Sequence, residues 1–133
     1  MQRNNSLLYL KELMTRINLV DPSTLHSKHL LAEYRELPRV FKLVEAAENR
    51  RADVRIPSEY VLGTGHVTFF YNKLTFLARR FHAIVLECQA RGFNIAHTQV
   101  PTVCVCNSWW QDYSPTPQAI ALNAARIKDR MPK

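Results

Sequence analysis

A single carboxylate surrounded by cations stands out on one face of a predicted helix. His29, Glu36 and Arg39 recur at intervals of seven and three residues, which predicts that they share one exposed helical face, and Arg35 and Lys42 flank them. Neighbouring cations favour the charged form of a carboxylate, so such a group can accept a proton or stabilise a developing cation. The cations themselves suit a phosphate-bearing partner.

Two other interpretations of this face stay open at this point. Salt bridges at helical spacing are common on solvated faces, where each pair contributes about 0.3–0.5 kcal/mol, and spacing alone favours this reading. A metal site of His29, Glu33 and Glu36 has suitable four-and-three spacing, but the adjacent guanidinium groups oppose cation binding and no second ligand helix is evident. We therefore expect no metal.

The composition favours an acidic partner and one globular domain. The chain has 133 residues, of which 47% are hydrophobic, and this is enough for one modest core. Eighteen Lys and Arg residues against 11 Asp and Glu give a net charge of +7, which makes nucleic acid the first partner to consider without deciding the matter.

The cysteines and the lack of a long apolar run bear on location. Cys88, Cys104 and Cys106 form neither an even set nor a CxxC pair, so neither a disulfide framework nor a common zinc site is indicated. No apolar run approaches the roughly 20 residues of a membrane helix. The sequence predicts a cytoplasmic protein without a membrane partner.

Three helical segments are expected to position the charged face. Apolar residues at intervals of four and three form one stripe: Leu30, Tyr34, Leu37, Phe41 and Val44. The stripe predicts a helix over about residues 21–48, kinked near Glu36 because Pro38 lacks an N–H and clashes with the preceding turn.

The other two helices follow after long irregular stretches. Apolar residues at helical spacing predict a second helix over about residues 67–91, with Gly92 as a left-handed C-cap. A last helix is expected over about residues 117–130. The predicted fold is all-α, a single compact domain of about three long helices with extended loops and a first helix kinked at Pro38.

Several motifs occur in one order and spacing that resembles a known family. They are MTRINLV at residues 14–20, HLLAEYRELPRVF at residues 29–41, YVLGTGHVTFFYNKLTFLARR at residues 60–80 and RGFNI at residues 91–95. A weaker match, DYSPTPQAIALNAARI, begins at Asp112. The chain resembles the pyrimidine-dimer DNA glycosylases of the phage endonuclease V type over about residues 14–130.

The resemblance implies a fold and a set of roles. The family is compact and all-helical, needs no metal, and uses an N-terminal threonine amine to attack C1′ of a damaged nucleotide, with help from a glutamate. By position the nucleophile is the α-amine of Thr15 and the glutamate is Glu36. The residues expected to contact DNA are Arg16, His29, Arg35, Arg39, Arg126 and Arg130, and Lys42 on the same face as Arg39. We expect a cofactor-free monomer acting on double-stranded damaged DNA.

Thr15 carries a free amine only if it is the first residue. Within a chain its nitrogen is an amide without useful nucleophilicity, so residues 1–14 are interpreted as a leader that the active form lacks and residues 15–133 as the glycosylase/lyase domain. Without a free Thr15 the chain would be a catalytically silent, basic DNA-binding protein.

Three further points stay open in the sequence. The chain lacks the aromatic, basic tail that dimer-specific relatives use against DNA, so an abasic-site lyase or a glycosylase for another lesion is an alternative. Trp109 and Trp110 suit either base stacking or core packing. His66 and Tyr71 could line the site or fix a loop onto the first helix; we favour the structural role and assign neither to catalysis.

Overall fold

The computed structural model of the protein describes residues 17–131, and the elements in this range are helices joined by loops. In chain order they are a 3-10 helix (Pro22–Thr24), α1 (Ser27–Glu36), α2 (Arg39–Asn49), the single-turn α3 (His66–Phe69), α4 (Leu74–Ala90), a second 3-10 helix (Asn107–Trp109) and α5 (Pro117–Asp129). Across these residues strand-like pairing is limited to one bridge between Lys73 and Trp110. The all-α prediction is confirmed.

The first predicted helix is divided into two at the expected proline. α1 ends at Glu36 and α2 begins at Arg39. Val40 and Phe41 donate their N–H groups to the carbonyls of Leu37 and Pro38, three residues back, each at 3.2 Å. Pro38 has no N–H to continue the α-helical ladder, so the chain tightens locally. The position of the irregularity is as predicted, but the single kinked helix is replaced by two helices.

The second predicted helix is likewise two helices. α3 ends at Phe69, and α4 starts only at Leu74. In between, the carbonyl of Asn72 accepts a hydrogen bond from the N–H of Gln111 at 3.3 Å, and Lys73 forms the bridge with Trp110. In a continuous helix these backbone groups would bond to other groups of the same helix. Here they bond to a loop more than thirty residues away in the chain, so the helix is interrupted. The second long helix therefore begins about seven residues later than predicted, and the division of the first predicted helix gives four helices of ten or more residues within the described range instead of three.

The end of α4 and the whole of α5 agree with expectation. Gly92 has a φ of 80° after the last turn of α4, as predicted for a left-handed C-cap. α5 begins after Thr116, whose hydroxyl accepts the N–H of Ala119 at 3.0 Å. Long loops join α2 to α3 and α4 to α5.

The two tryptophans pack against the protein body. The Trp110 ring contacts Phe41 with centroids 5.8 Å apart, and Trp109 Nε1 donates a hydrogen bond to Glu48 Oε1 at 2.8 Å. Glu48 also accepts the N–H of Cys106 at 2.9 Å, and these two hydrogen bonds lower the pKa of its carboxyl. Both rings are partly buried against the hydrophobic core, which favours the packing interpretation over base stacking.

The core is formed by one side of each long helix. All five residues of the apolar stripe belong to it, Tyr34 as a partly buried member. Ile17 and Leu19 at the start of the described chain are also buried in it. None of the helices within residues 17–131 has the length and apolar character required to cross a bilayer.

Candidate active site

Glu36 lies at the carboxyl end of α1, next to the break made by Pro38. Its side chain is 19% exposed, and Arg39 Nη1 donates to both carboxylate oxygens, at 3.1 Å to Oε2 and 3.3 Å to Oε1. Glu36 closes α1 and Arg39 opens α2, so this pair of residues three apart spans the break between the two helices. The structure thus keeps a carboxylate at the surface beside a cation, as the sequence predicted.

Arg35, Arg39 and Lys42 lie together around one cavity. The cavity has a volume of about 540 Å³, within the range of ligand sites, and its other walls are formed by Tyr34, Pro38, Phe81, His97, Gln99 and Pro101. The floor is apolar, since Tyr34 stacks on Phe81 with centroids 5.7 Å apart. The three basic side chains are exposed. Three of the predicted DNA-contacting residues therefore share one surface next to Glu36.

Tyr34 also fixes the far wall of this cavity. Its hydroxyl donates to the carbonyl of His97 at 3.0 Å and accepts the N–H of the same residue at 2.9 Å. Both backbone groups of one loop residue are thus bonded to α1, which fixes this wall of the cavity relative to the helix.

His29 does not lie on the exposed face expected for it. Its side chain is 7% exposed, and its Nε2 lies 3.0 Å from the carbonyl oxygen of Arg130. The imidazole thus connects the first turn of α1 to the end of α5. The predicted exposure is wrong, because the tertiary contact with α5 covers this position, while a DNA contact by His29 stays a prediction.

Arg126 and Arg130 lie at or just after the last turn of α5 and are partly buried. They follow Asn123 by three and seven residues, so all three share one face of the helix. Asn123 is buried against the N-terminal segment, and both arginines are therefore turned toward the side of the molecule where that segment lies. Thr15 and Arg16, the other two predicted site residues, fall outside the described residues.

A buried polar network beneath Glu36 was not predicted. Glu33, on the buried side of α1, is 1% exposed and forms a bidentate ion pair with Arg80 of α4, at 2.5 Å to Nε and 3.0 Å to Nη2. Glu33 Oε1 also accepts Asn18 Nδ2 at 2.8 Å. Arg80 Nη1 donates to the carbonyl of Val20 at 2.7 Å. The ion pair therefore joins α1, α4 and the N-terminal segment.

The N-terminal segment, residues 17–20, is bound by further buried side chains. Asn123 Oδ1 accepts the N–H of Leu19 at 2.6 Å, and Asn123 Nδ2 donates to Asn18 Oδ1 at 2.9 Å. His66 Nε2 accepts the N–H of Ile17 at 2.6 Å, and the Tyr60 hydroxyl donates to the Ile17 carbonyl at 3.1 Å. The segment that follows Thr15 is thus fixed between α1, α4, α5, the first residue of α3 and the loop before it.

Glu33 and Arg80 could have been noticed in the sequence by their place in the apolar pattern. Glu33 falls between Leu30 and Leu37, and Arg80 between Leu77 and Phe81, at positions that face the core. A charged residue at a core position is seldom buried unless it is paired. The identity of the partner, 47 residues away, has no such signal.

The metal interpretation of the α1 face gains no support from the geometry. Within residues 17–131 no three or more His, Cys, Asp and Glu side chains are grouped so that they could hold an ion. His29 and Glu33 are committed to Arg130 and Arg80 respectively. Glu36 is paired with Arg39 instead.

The basic side chains around the cavity, next to a surface carboxylate, suit a phosphate-bearing partner such as nucleic acid. The model of one protein family, described as pyrimidine dimer DNA glycosylase, matches residues 14–99, which is more than half of the chain. The chain therefore belongs to the pyrimidine dimer DNA glycosylase family. Membership defines it as a DNA-repair glycosylase with DNA as its substrate.

Proposed function

We propose that the chain removes damaged pyrimidines, in the first place cyclobutane pyrimidine dimers, and then cleaves the abasic site as a lyase, with the Thr15 α-amine as nucleophile and Glu36 as the assisting carboxylate. The observation that carries this proposal is the anchoring of Asn18 to Glu33 at 2.8 Å. Glu33 lies less than one helical turn before Glu36 in α1. The chain that bears Thr15 is thus tied to the helix that bears the carboxylate.

The proposal requires that Thr15 be the first residue of the active form. The family match begins at Met14, and in a chain that starts there, removal of the initiator methionine would leave Thr15 with a free amine. An α-amine with an ordinary pKa of about 7.7–8.0 is neutral at pH 7 some hundredfold more often than a lysine amine with a pKa of about 10.4. Only the neutral amine has the lone pair needed for attack on carbon. Residues 1–14 are accordingly a leader that the active form lacks.

The proposed chemistry has two stages. In the first, the Thr15 nitrogen forms a bond to C1′, the glycosidic bond breaks, and the base leaves with the bonding electron pair and gains a proton. The amine gives up two protons in all, one that ends on the departing base and one that ends on O4′ as the C1′–O4′ bond breaks and the sugar ring opens, which leaves an imine between the nitrogen and C1′. In the second, Glu36 accepts the acidified C2′ proton, the electrons form a C2′–C3′ double bond, and the 3′ phosphate departs. Water then hydrolyses the imine and releases Thr15.

The basic cavity edge is the proposed contact with the duplex backbone. Arg35, Arg39 and Lys42 would neutralise phosphates and supply the energy for bending DNA and extruding a nucleotide toward the amine. The ion pair between Arg39 and Glu36 supports a phosphate contact close to the carboxylate.

Replacing Arg35 with Ala is expected to weaken binding equally for damaged and undamaged duplexes. Loss of one phosphate contact should reduce the slope of log affinity against log salt by about 0.9. The measurement is fluorescence anisotropy over a salt series. Arg79→Ala is the matched control, since Arg79 is an exposed arginine that pairs with Asp112 and does not line the cavity. An unchanged slope for Arg35→Ala, or the same reduction for both variants, would remove this edge from the DNA interface.

Borohydride trapping tests the proposed function. Proteins that start at Thr15 and at Met1 are incubated with duplexes that carry either a pyrimidine dimer or an abasic site, in the presence of borohydride. We expect a covalent protein–DNA adduct with both duplexes from the Thr15 form and none from the Met1 form. An adduct with the abasic duplex alone would show a lyase without dimer specificity. Absence of any adduct from the Thr15 form would contradict the proposed chemistry, and a catalytically silent DNA-binding protein would be the remaining interpretation.

A further inference from the structure

His66 binds the backbone of the N-terminal segment from inside the protein. Its side chain is 2% exposed, and Nε2 accepts the N–H of Ile17 at 2.6 Å. The Ile17 carbonyl accepts the Tyr60 hydroxyl at 3.1 Å, so one residue is held at both of its backbone groups. Backbone groups in a core are usually bonded within helices or strands. Here the side chains of His66 and Tyr60 bond both backbone groups of Ile17, which is two residues after Thr15.

Hydrogen bonding fixes the orientation and the tautomer of the His66 ring. The N–H of Ile17 needs an acceptor, so Nε2 carries no hydrogen, and Nδ1–H donates to the carbonyl of Val61 at 2.8 Å. The Tyr60 and Phe70 rings contact the imidazole edge-on, with centroids 5.4 and 5.7 Å away. The ring therefore presents one fixed acceptor to the N-terminal segment.

The loop around His66 is built to hold it in place. Gly65 has a φ of 89°, in a region that favours glycine, and a Cβ on it would lie 3.2 Å from Pro57 Cγ. The N–H of His66 itself donates to the carbonyl of Gly63 at 3.0 Å, which closes a tight turn before α3. Gly63 and Gly65 thus let the backbone turn so that the His66 imidazole enters the core and reaches the N-terminal segment at Ile17.

We propose that His66 is a positioning residue for the reaction, an inference that rests on the proposed function of Thr15. Covalent geometry keeps the α-amine of Thr15 within about 7 Å of the Ile17 nitrogen, because two residues span no more than that. Fixing Ile17 therefore restricts the volume that the amine samples. Restricting a nucleophile near its target lowers the entropic barrier to attack, and a misplacement of about 1 Å can cost about 100-fold in rate.

Two substitutions of His66 separate positioning from loop folding. In His66→Asn the side-chain NH₂ can take the place of Nδ1–H and donate to Val61, but no acceptor reaches Ile17. In His66→Gln the side-chain oxygen reaches the place of Nε2 and can accept the N–H of Ile17. Both variants are made in the form that starts at Thr15. Three quantities are measured: the single-turnover rate of borohydride trapping on saturating abasic duplex, the Kd for a duplex with an unreactive abasic analogue, and the melting temperature.

The expected result is that His66→Asn slows trapping about 100-fold while the Kd changes little. His66→Gln should recover the rate to within a few-fold of the wild type. Trapping by His66→Asn at the wild-type rate, or a loss of rate matched by an equal loss of DNA affinity, would overturn the positioning role. Absence of trapping by the wild-type Thr15 form would instead overturn the proposed function, and the inference with it.

Tyr60→Phe provides a second test if His66→Asn does not fold. It removes only the hydroxyl that donates to the Ile17 carbonyl, and we expect trapping to slow about tenfold, the worth of one hydrogen bond. Thr75→Val is the matched control, because it also removes one hydroxyl that donates to a backbone carbonyl, that of Trp110 at 2.9 Å. Equal trapping rates for the two variants would contradict positioning by the residues that hold Ile17.

Discussion

Glu36→Gln is expected to reduce strand cleavage at abasic sites by about 1,000-fold, within the range of general acid–base effects. The amide keeps the shape of the side chain but accepts the C2′ proton poorly. DNA affinity should stay the same or increase, since the substitution removes a negative charge beside Arg39, which pairs with Glu36 at 3.1 Å. Cleavage is measured on gels under single-turnover conditions, and affinity with an unreactive abasic analogue.

The control for this experiment is Glu87→Gln. Glu87 is also a helical carboxylate paired with an arginine, Arg91 at 2.8 Å, but it lies on α4. Its neutralisation changes the net charge by the same amount and should leave cleavage near the wild-type rate. If Glu36→Gln cleaves as fast as Glu87→Gln, proton transfer by Glu36 is not part of the mechanism.

Glu33→Ala is expected to have the largest effect on stability of any single charge removal. Glu33 is 1% exposed and its partner Arg80 is 8% exposed. Breaking a buried pair by removing one partner costs about 3–5 kcal/mol, because the remaining charge stays buried without compensation. The loss should appear in the free energy of unfolding from urea titration. Asn18 also loses its contact with α1, so we expect weaker trapping even in the folded fraction.

Asp112→Ala serves as the comparison for Glu33→Ala. Asp112 forms an ion pair of similar length, 2.6 Å to Arg79, but both side chains are more than half exposed. Exposed pairs contribute little because water screens them. The free energy of unfolding should therefore stay near the wild-type value. A small effect for Glu33→Ala, similar to that of Asp112→Ala, would mean that the buried pair is not needed for stability.

Local patterns in the sequence predicted the course of the helices but not all of their ends. The apolar stripe from Leu30 to Val44 predicted the helical course, and Pro38, which has no N–H to continue a helix, located the break between α1 and α2. The break between α3 and α4 was missed, because nothing in the local pattern opposes a helix through Asn72 and Lys73. It depends on their backbone contacts with Gln111 and Trp110, which only the folded chain brings near.

In the candidate site, too, residues close in sequence were grouped correctly, whereas contacts between residues far apart in sequence were not predicted. Arg35, Glu36 and Arg39 are close in sequence, so helical spacing was enough to group them. His29 shares that spacing, yet contact with the end of α5 buries it. Asn123 and His66 reach residues 17–19 from more than forty residues away, and no periodicity encodes such pairs. The sequence therefore predicts the exposed charged residues that are neighbours in the chain, whereas the buried side chains that hold residues 17–19 are identified only in the structure.

The most direct test of Thr15 as nucleophile is the location of the trapped bond. The adduct formed by the Thr15 form with abasic DNA and borohydride is digested with protease and nuclease and sequenced by mass spectrometry. We predict that the added sugar mass is carried by the α-nitrogen of Thr15. Attachment to a lysine side chain, with an unmodified Thr15 amine in the same adduct, would contradict the proposed mechanism.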